Sequence, residues 1–190
     1  FMHDCKPHNT KHRVHLVRGK LTRERLLNAQ NAAVGDPGLL VSNVLPNMVS
    51  KEKKHAIGIV PHYWDKEDPQ VERFFDCFPD AKFLDVFNDV ETFIREMTEC
   101  EFIMSSSLHG LIMADAFQIP NQWIVVSDRV EGKNFKFYDY YSVFDMASPE
   151  FSDLDSMTIE KIQKLKLAYQ RPGLGKIQQD IVRSFPDAYR

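Results

Sequence analysis

Residues 101–117 of this 190-residue chain have the sequence EFIMSSSLHGLIMADAF. A short apolar segment ends in three serines, and an apolar, alanine-containing segment of helical length follows His109 and Gly110. This pattern predicts a buried strand that turns directly into a helix. Such a turn places backbone N–H groups, hydroxyls and one imidazole around a common point, which suits an anion.

The same alternation of strand and helix extends along most of the chain. Short apolar runs predict strands, and segments with helical periodicity follow them. The predicted strands are residues 14–17, 56–60, 82–86, 101–104 and 123–126, and the predicted helices are residues 22–33 (with Thr22 as N-cap), 69–78, 90–99 and 108–117. This order favours an α/β fold with a Rossmann-like, doubly wound parallel sheet.

The segment after Pro149 has a different character. Residues 158–169 and 174–185 carry apolar side chains at helical spacing, which predicts two amphipathic helices. We therefore expect a Rossmann-like part over residues 1–148. Residues 149–190 are then C-terminal helices that pack on the sheet or on a partner lobe.

Composition excludes several classes of protein. A net charge of -3 provides no basic surface for nucleic acid. The three cysteines and seven histidines lack disulfide or metal-site spacing, so we predict no metal and a reducing, cytoplasmic setting. No run approaches the ~20 apolar residues of a transmembrane helix. Neither a G-x-G-x-x-G motif nor a P-loop occurs, which disfavours the usual Rossmann cofactors.

Polar residues follow each predicted strand. Open α/β sheets bind ligands outside the carboxyl ends of their strands, so residues at these positions are candidates for a site. In chain order they are Arg18, His62, Asp85, the run Ser105 to His109, and Ser127 with Asp128. Their convergence at one edge is the main prediction.

Each candidate also has a purely structural interpretation. The Arg18 guanidinium could bind a carboxylate or phosphate of a ligand through two parallel hydrogen bonds. Alternatively, it forms a surface ion pair with a nearby carboxylate of the protein. His62 lies among aromatic residues and is either a proton donor in a substrate wall or a half-buried structural histidine. The positive end of a helix favours neutral imidazole, which suits His109 as an acid or base, whereas the alternative is a cap of its own helix. The stretch 135–141 could line a sugar or anion site around Lys136, although such aromatic stripes usually form core.

Taken together, five segments resemble the polysaccharide pyruvyl transferase family. They are VRGKLT at 17–22, GDP at 35–37, IGIVPHY at 57–63, SSSLHGLIMADAF at 105–117 and IP at 119–120. The likeness extends over about residues 14–141 and is most specific around His109. It implies that these residues form the C-terminal, donor-binding lobe of a two-lobed enzyme of GT-B type. The implied reaction transfers the enolpyruvyl group of phosphoenolpyruvate to two hydroxyls of a cell-surface or exopolysaccharide sugar, which forms a ketal and releases phosphate.

The resemblance also implies roles for individual residues. His109 would be the leading acid/base and His62 a second catalytic residue. The substrate-binding residues would be Arg18, Ser106, Ser107, Leu108, Gly110 and Lys136. Many family members carry an arginine two positions before the histidine, where this chain has Ser107. Either another cation, such as Lys136, Arg129 or Lys133, compensates for the lost charge, or donor binding differs from that of the family.

Two other functions remain open at this level. A GT-B glycosyltransferase that uses a sugar nucleotide would also aim a helix N-terminus at a diphosphate. A non-catalytic α/β interaction module would bind neither donor. The expected partners are phosphoenolpyruvate and a saccharide acceptor, without a cofactor, nucleic acid or transmembrane segment. The sequence leaves open whether the chain forms a homo-oligomer.

Overall fold

A computed structural model describes residues 3–130, 134–146 and 149–187 of the chain. The chain forms two compact units. The first unit comprises Phe1–Leu40, Glu131–Pro149 and Arg171–Arg190, and the second comprises Val41–Val130 and Glu150–Gln170. The division proposed above, into a Rossmann-like part over residues 1–148 and C-terminal helices over residues 149–190, stays a prediction.

The regular elements alternate as the sequence indicates. The strands are β1 (Leu16–Val17), β2 (Ala33–Val34), β3 (Gly58–Val60), β4 (Lys82–Phe83), β5 (Ile103–Ser105), β6 (Asn121–Val125) and β7 (Ser152–Asp153). The helices are α1 (Lys20–Arg25), α2 (Val41–Val44), α3 (Pro69–Cys77), α4 (Val90–Thr98), α5 (Leu108–Ala116), α6 (Phe135–Tyr141), α7 (Ile159–Ala168) and α8 (Leu174–Ser184). Within the described ranges, no helix has the length and apolar character needed to cross a membrane.

The second unit is built on a five-stranded sheet in the order β4-β3-β5-β6-β7. All neighbouring pairs are parallel, with Ile59 opposite Met104 and Met104 opposite Gln122. A parallel connection needs a crossover, and α3, α4 and α5 supply it between successive strands. This confirms the predicted Rossmann-like α/β class.

Alternate residues of these strands contribute to two separate cores. Ile59 and Met104 pack with the apolar sides of α3 and α7, while Val60 and Ile103 pack with α4 and α5. Because successive side chains of a strand point to opposite faces, a strand that is apolar throughout must be covered on both sides. The sheet is therefore doubly wound, with helices on each face.

The first unit differs from the prediction. β1 pairs in parallel with β2, Leu16 opposite Ala33, in a separate two-stranded sheet. The predicted helix over 22–33 is wrong beyond Arg25, because Leu26 has extended backbone and Gln30 donates its side-chain N–H groups to the carbonyls of Arg23 and Leu26. Thr22 lies inside α1 rather than at its N-cap.

The later segments of the chain belong to both units. α6 carries the aromatic stripe. Its rings at Phe135, Phe137, Tyr140 and Tyr141 are buried, so these aromatic residues form core. α7 packs against β6 in the second unit, and α8 packs against β2 in the first. The two predicted amphipathic helices therefore exist but contribute to different cores.

Candidate functional site

The candidate site lies at the carboxyl edge of the five-stranded sheet. β3 leads to His62, β4 to Asp85, β6 to Ser127, and β5 ends in the serine run. Because the strands are parallel, these ends share one edge. The predicted convergence therefore holds for the residues of the second unit.

Ser105 and Gly110 form the base of this turn. The Ser105 hydroxyl is 2.9 Å from the carbonyl oxygen of Val60 and 2.8 Å from that of Ser107, and it accepts the Ser107 backbone N–H at 3.0 Å. A Cβ on Gly110 would lie 2.4 Å from this hydroxyl and 2.8 Å from Val60 Cγ1. Only glycine lets α5 approach the sheet this closely. The Ser105 hydroxyl therefore has a structural role within this turn.

Ser106 connects three loops through a buried carboxylate. Its hydroxyl accepts the His62 backbone N–H at 2.8 Å and donates to Asp65 at 2.8 Å. Ser127 donates to the other oxygen of Asp65 at 2.5 Å. Asp65 is completely buried. Its carboxylate therefore holds together the loops that follow β3, β5 and β6.

The start of α5 presents donors in the way that the sequence predicts. Ser107 is the N-cap residue, and the first intrahelical bond there runs from the Leu111 N–H to the Ser107 carbonyl at 3.3 Å. The N–H groups of the first turn precede any intrahelical acceptor and can serve a ligand. The side chain of Leu108 is buried, so Leu108 and Gly110 can contribute only these backbone groups.

The two candidate histidines have different environments. The His109 side chain is exposed, and among the described residues its ring has no hydrogen-bond partner. His62 is half-buried, and its Nδ1 accepts the backbone N–H of Trp64 at 3.4 Å. With Nδ1 accepting, a neutral His62 ring carries its proton on Nε2. Neither histidine caps a helix in the described structure.

Asp85 belongs to an ion pair at the same edge. Lys66 donates to its carboxylate at 2.5 Å, and the Phe87 backbone N–H donates to the other oxygen at 3.0 Å. The hydrogen bond from Lys66, with help from that of Phe87, lowers the pKa of Asp85 below its ordinary value. Asp85 is therefore an ionised partner of Lys66 at neutral pH and is poorly suited to act as an acid.

The cations proposed to replace the missing arginine differ in their placement. Arg129 pairs with Asp68, which also caps α3. Lys133 lies outside the described residues. Lys136 is buried on α6 of the first unit, with its Nζ 5.4 Å from the centre of the Phe137 ring.

Arg18 also belongs to the first unit. The expectation that it follows a strand of the sheet that carries His62 is wrong, because β1 pairs with β2 in a different sheet. Its Nε lies 3.2 Å from Oδ2 of Asp139, a completely buried carboxylate. Thr22 donates its backbone N–H and its hydroxyl to the same carboxylate, both at 2.7 Å. The predicted ion pair exists, but with a buried rather than a surface carboxylate.

The position after Arg18 requires glycine because Gly19 lies against the backbone of α6. A Cβ there would lie 1.8 Å from the backbone oxygen of Asp139. Since a backbone oxygen cannot move aside as a flexible side chain can, any larger residue would separate α1 from α6. The Arg-Gly pair therefore joins two helices of the first unit, whatever else Arg18 does.

Sequence reasoning missed both buried carboxylates. Asp65 lies three residues after His62 and Asp139 lies within the aromatic stripe, but neither position has a local pattern that announces a buried acid. Their partners are distant in sequence. No cluster of potential metal ligands occurs among the described residues. The donors at this edge are hydroxyls, backbone N–H groups and imidazoles, which fit an anion.

Comparisons with known proteins agree with the family resemblance. The sequence profile of the polysaccharide pyruvyl transferase family matches residues 3–129. The chain is 29% identical over 143 residues to an uncharacterized protein, L143, of Acanthamoeba polyphaga mimivirus, a match that covers 72% of this chain and 50% of that protein. It is 29% identical over 127 residues to the succinoglycan biosynthesis protein ExoV of Rhizobium meliloti (strain 1021), which covers 65% of this chain and 38% of ExoV.

This chain thus spans half the length of the first relative and less of the second. No solved structure matches it.

Proposed function

The chain belongs to the polysaccharide pyruvyl transferase family, and from this membership we propose that it forms the donor-binding part of an enzyme that attaches pyruvate to a glycan. The donor is phosphoenolpyruvate and the acceptor is a sugar unit of an exopolysaccharide or cell-surface glycan. Two acceptor hydroxyls and the donor form a ketal, and phosphate is released. The likeness to a protein of succinoglycan biosynthesis supports the choice of acceptor class.

One observation carries this proposal. The exposed His109 stands on the first turn of α5, directly beside backbone N–H groups that can bind an anion. Phosphoenolpyruvate brings two anionic groups and a carbon that must be protonated. A helix start with an adjacent imidazole supplies N–H donors for an anionic group and a proton source for the carbon.

The chemistry is an acid-assisted addition. His109 gives a proton to the methylene carbon of the enol, and positive charge develops at the neighbouring carbon, shared with its oxygen. A sugar hydroxyl adds there and loses its proton to His62, and phosphate departs with that proton. A second hydroxyl then adds to close the ketal, and its proton restores His109. The N–H groups of α5 stabilise the negative charge on the departing phosphate.

His62 acts on the acceptor in this scheme. A neutral imidazole takes the proton that a sugar hydroxyl loses when it attacks. The backbone of His62 is held by Ser106, which is held in turn by Asp65. Asp65 is therefore a positioning residue for the loop that carries His62.

The family resemblance also implies substrate-binding roles for Arg18 and Lys136, and these roles stay predictions. Both lie in the first unit, and Arg18 already shares the carboxylate of Asp139. We place the reaction in the cytoplasm, which the free state of Cys5, Cys77 and Cys100 supports. Whether the enzyme is a homo-oligomer stays open.

Ligand-dependent thermal unfolding tests the donor. At a concentration about tenfold above its Kd, phosphoenolpyruvate should raise the Tm by about 3–6 °C. The shift should disappear in His109→Ala. It should persist in the matched control His12→Ala, which removes an exposed histidine from the first unit.

Arg18→Lys tests the arginine without leaving Asp139 uncompensated, and Arg73→Lys serves as its control because Arg73 forms an exposed ion pair. The expected result is loss of most of the shift in Arg18→Lys alone, since lysine lacks the planar fork. A Tm shift with UDP or GDP and none with phosphoenolpyruvate would favour the glycosyltransferase. No shift with either would favour the interaction module.

A further inference from the structure

Three aromatic side chains stand exposed at the carboxyl edge of the second unit. Tyr63 is 50% exposed, Trp64 52% and Phe87 71%. We call these three residues the aromatic platform. Burial of rings of this size is normally a major source of stability, so a group of exposed rings marks a surface that binds something.

The rings of the platform touch one another. The centres of Tyr63 and Trp64 are 4.9 Å apart at 38°, and those of Tyr63 and Phe87 are 6.5 Å apart at 62°. The ring of His62 lies 4.4 Å from that of Tyr63. The platform therefore adjoins one of the two histidines assigned above to proton transfer.

The two loops that carry the platform are anchored. Asp65, next to Trp64, is buried and held by Ser106 and Ser127. Lys66 pairs with Asp85 and lies 5.5 Å from the centre of the Phe87 ring, which joins the loop after β3 to the loop after β4. A platform held in this way loses little conformational freedom when a ligand binds.

The shape and chemistry of this surface favour a sugar ring. A pyranose has apolar C–H faces surrounded by hydroxyls, and it can rest on aromatic rings while polar groups at the rim bond the hydroxyls. Here the rim carries His62 and the Lys66–Asp85 pair. The rings are tilted by 38° and 62° rather than parallel, so they form no slot for a flat nucleobase.

We propose that the aromatic platform binds a pyranose unit of the acceptor glycan, adjacent to the unit that receives pyruvate. This inference rests on the proposed function, because a pyruvyl transferase must hold a saccharide beside its acid and base. It assigns acceptor recognition to side chains that the donor chemistry does not use.

Tryptophan fluorescence gives a direct test. The chain has two tryptophans, and Trp123 is buried, so a ligand that covers the platform changes the signal of Trp64. The probes are neutral glucose and galactose tetrasaccharides. We expect a saturable blue shift with at least one of them, together with protection of Trp64 from iodide quenching.

Variants locate the site. Phe87→Ala should weaken glycan binding roughly three- to tenfold, the range expected when one aromatic contact is lost. Phe87 is highly exposed, so this change should leave the fold and the Tm unaltered. Phe185→Ala, which removes an exposed ring at the end of α8, is the matched control and should bind glycan as the parent chain does. Trp64→Phe should abolish the fluorescence change while it retains binding by calorimetry.

The outcomes separate this inference from the proposed function. A Tm shift with phosphoenolpyruvate but no glycan response overturns the platform alone. A glycan response without any response to phosphoenolpyruvate supports the platform and contradicts the proposed function. Self-association that depends on concentration and is lost in Phe87→Ala overturns the platform as a sugar site and makes it an interface between copies of this chain.

Discussion

Asp139 in the first unit and Asp65 in the second are both completely buried carboxylates, but their partners differ. Asp139 is paired with Arg18 and bonded by Thr22. Asp65 is bonded by the hydroxyls of Ser106 and Ser127, and no cation of the described chain pairs with it. Breaking an ion pair leaves a desolvated charge behind, whereas removing a carboxylate from hydroxyls leaves neutral groups that can rotate.

The comparison separates stability from function. Asp139 joins α1, α6 and the loop after β1, so it supports the packing of the first unit. Asp65 supports the loops that carry His62, Ser106 and the aromatic platform. We therefore expect the first carboxylate to matter most for unfolding and the second to matter most for ligands.

The largest effect is expected for Asp139→Asn. The change removes the charge that compensates Arg18, and it should lower the free energy of unfolding by about 3–5 kcal/mol, measured by urea denaturation. Asp145→Asn is the matched control, because the Asp145 carboxylate is 84% exposed where it pairs with Lys20. Its cost should stay below about 1 kcal/mol. Equal costs for the two variants would contradict the distinction drawn above.

Asp65→Ala should have a smaller effect on stability and a clear effect on binding. The buried hydroxyl of Ser106 and the partly buried hydroxyl of Ser127 lose their acceptor, which should cost about 2 kcal/mol in urea denaturation. The Tm shift with phosphoenolpyruvate should also shrink, because Asp65 no longer holds Ser106, which directly precedes the helix start that binds the donor. Asp76→Ala removes an exposed carboxylate of the same unit and should change neither quantity. A stability loss with an unchanged ligand response would limit Asp65 to a structural role.

Gly110→Ala tests the close approach of α5 to the sheet. The new methyl group would meet Ser105 and Val60, and the expected loss of stability is about 1–3 kcal/mol in thermal or urea unfolding. Gly175→Ala is the control within α8, since a Cβ there meets nothing within 4 Å. It should be neutral or stabilising by up to about 1 kcal/mol. Stabilisation by Gly110→Ala would show that the turn has more room than the structure indicates.

The smallest effect concerns the pH dependence of Asp85. Its pKa in the folded chain is lowered from the ordinary 3.8, chiefly by the hydrogen bond from Lys66. Its contribution is therefore fully present above pH 3.8 and is lost as the pH falls through the lower folded value. The pair is partly exposed, so this contribution should be at most about 1 kcal/mol.

Urea denaturation measures this contribution of Asp85 to stability over the range in which carboxylates titrate, about pH 2 to pH 6. Asp85→Asn should flatten the acid limb of the stability curve slightly. The matched control is Asp155→Asn, which removes an exposed carboxylate that pairs with Arg73. An unchanged acid limb in Asp85→Asn would exclude the lowered pKa.

The local sequence pattern was sufficient to predict most strands and helices of the second unit. Its strands are short runs of apolar residues, such as 57–60 and 102–104, that must be covered on both faces. Parallel strands bring their carboxyl ends to one edge, so the sequence alone predicts that His62, Asp85 and the serine run lie together. The start of α5 followed from the serine run and the apolar segment behind it.

In the first unit, the local sequence pattern did not predict the structure correctly. Ala29 and Ala32 have helical spacing from Leu26, yet they lie in turns and pack on Val17. Pairing of Ala33 with Leu16 in the two-stranded sheet outweighs the helix propensity of the segment. The same pairing puts Arg18 in a sheet of its own, which no periodicity could indicate.

The sequence by itself determined the α/β class, the helix start at Ser107 and the family, because these depend on runs of neighbouring residues. Tertiary structure alone decided which polar groups meet in the interior. Asp65 finds its two hydroxyl partners 41 and 62 residues away, and Asp139 finds Thr22 117 residues away. A buried carboxylate must be satisfied wherever the folded chain brings donors to it, and that choice has no local signature.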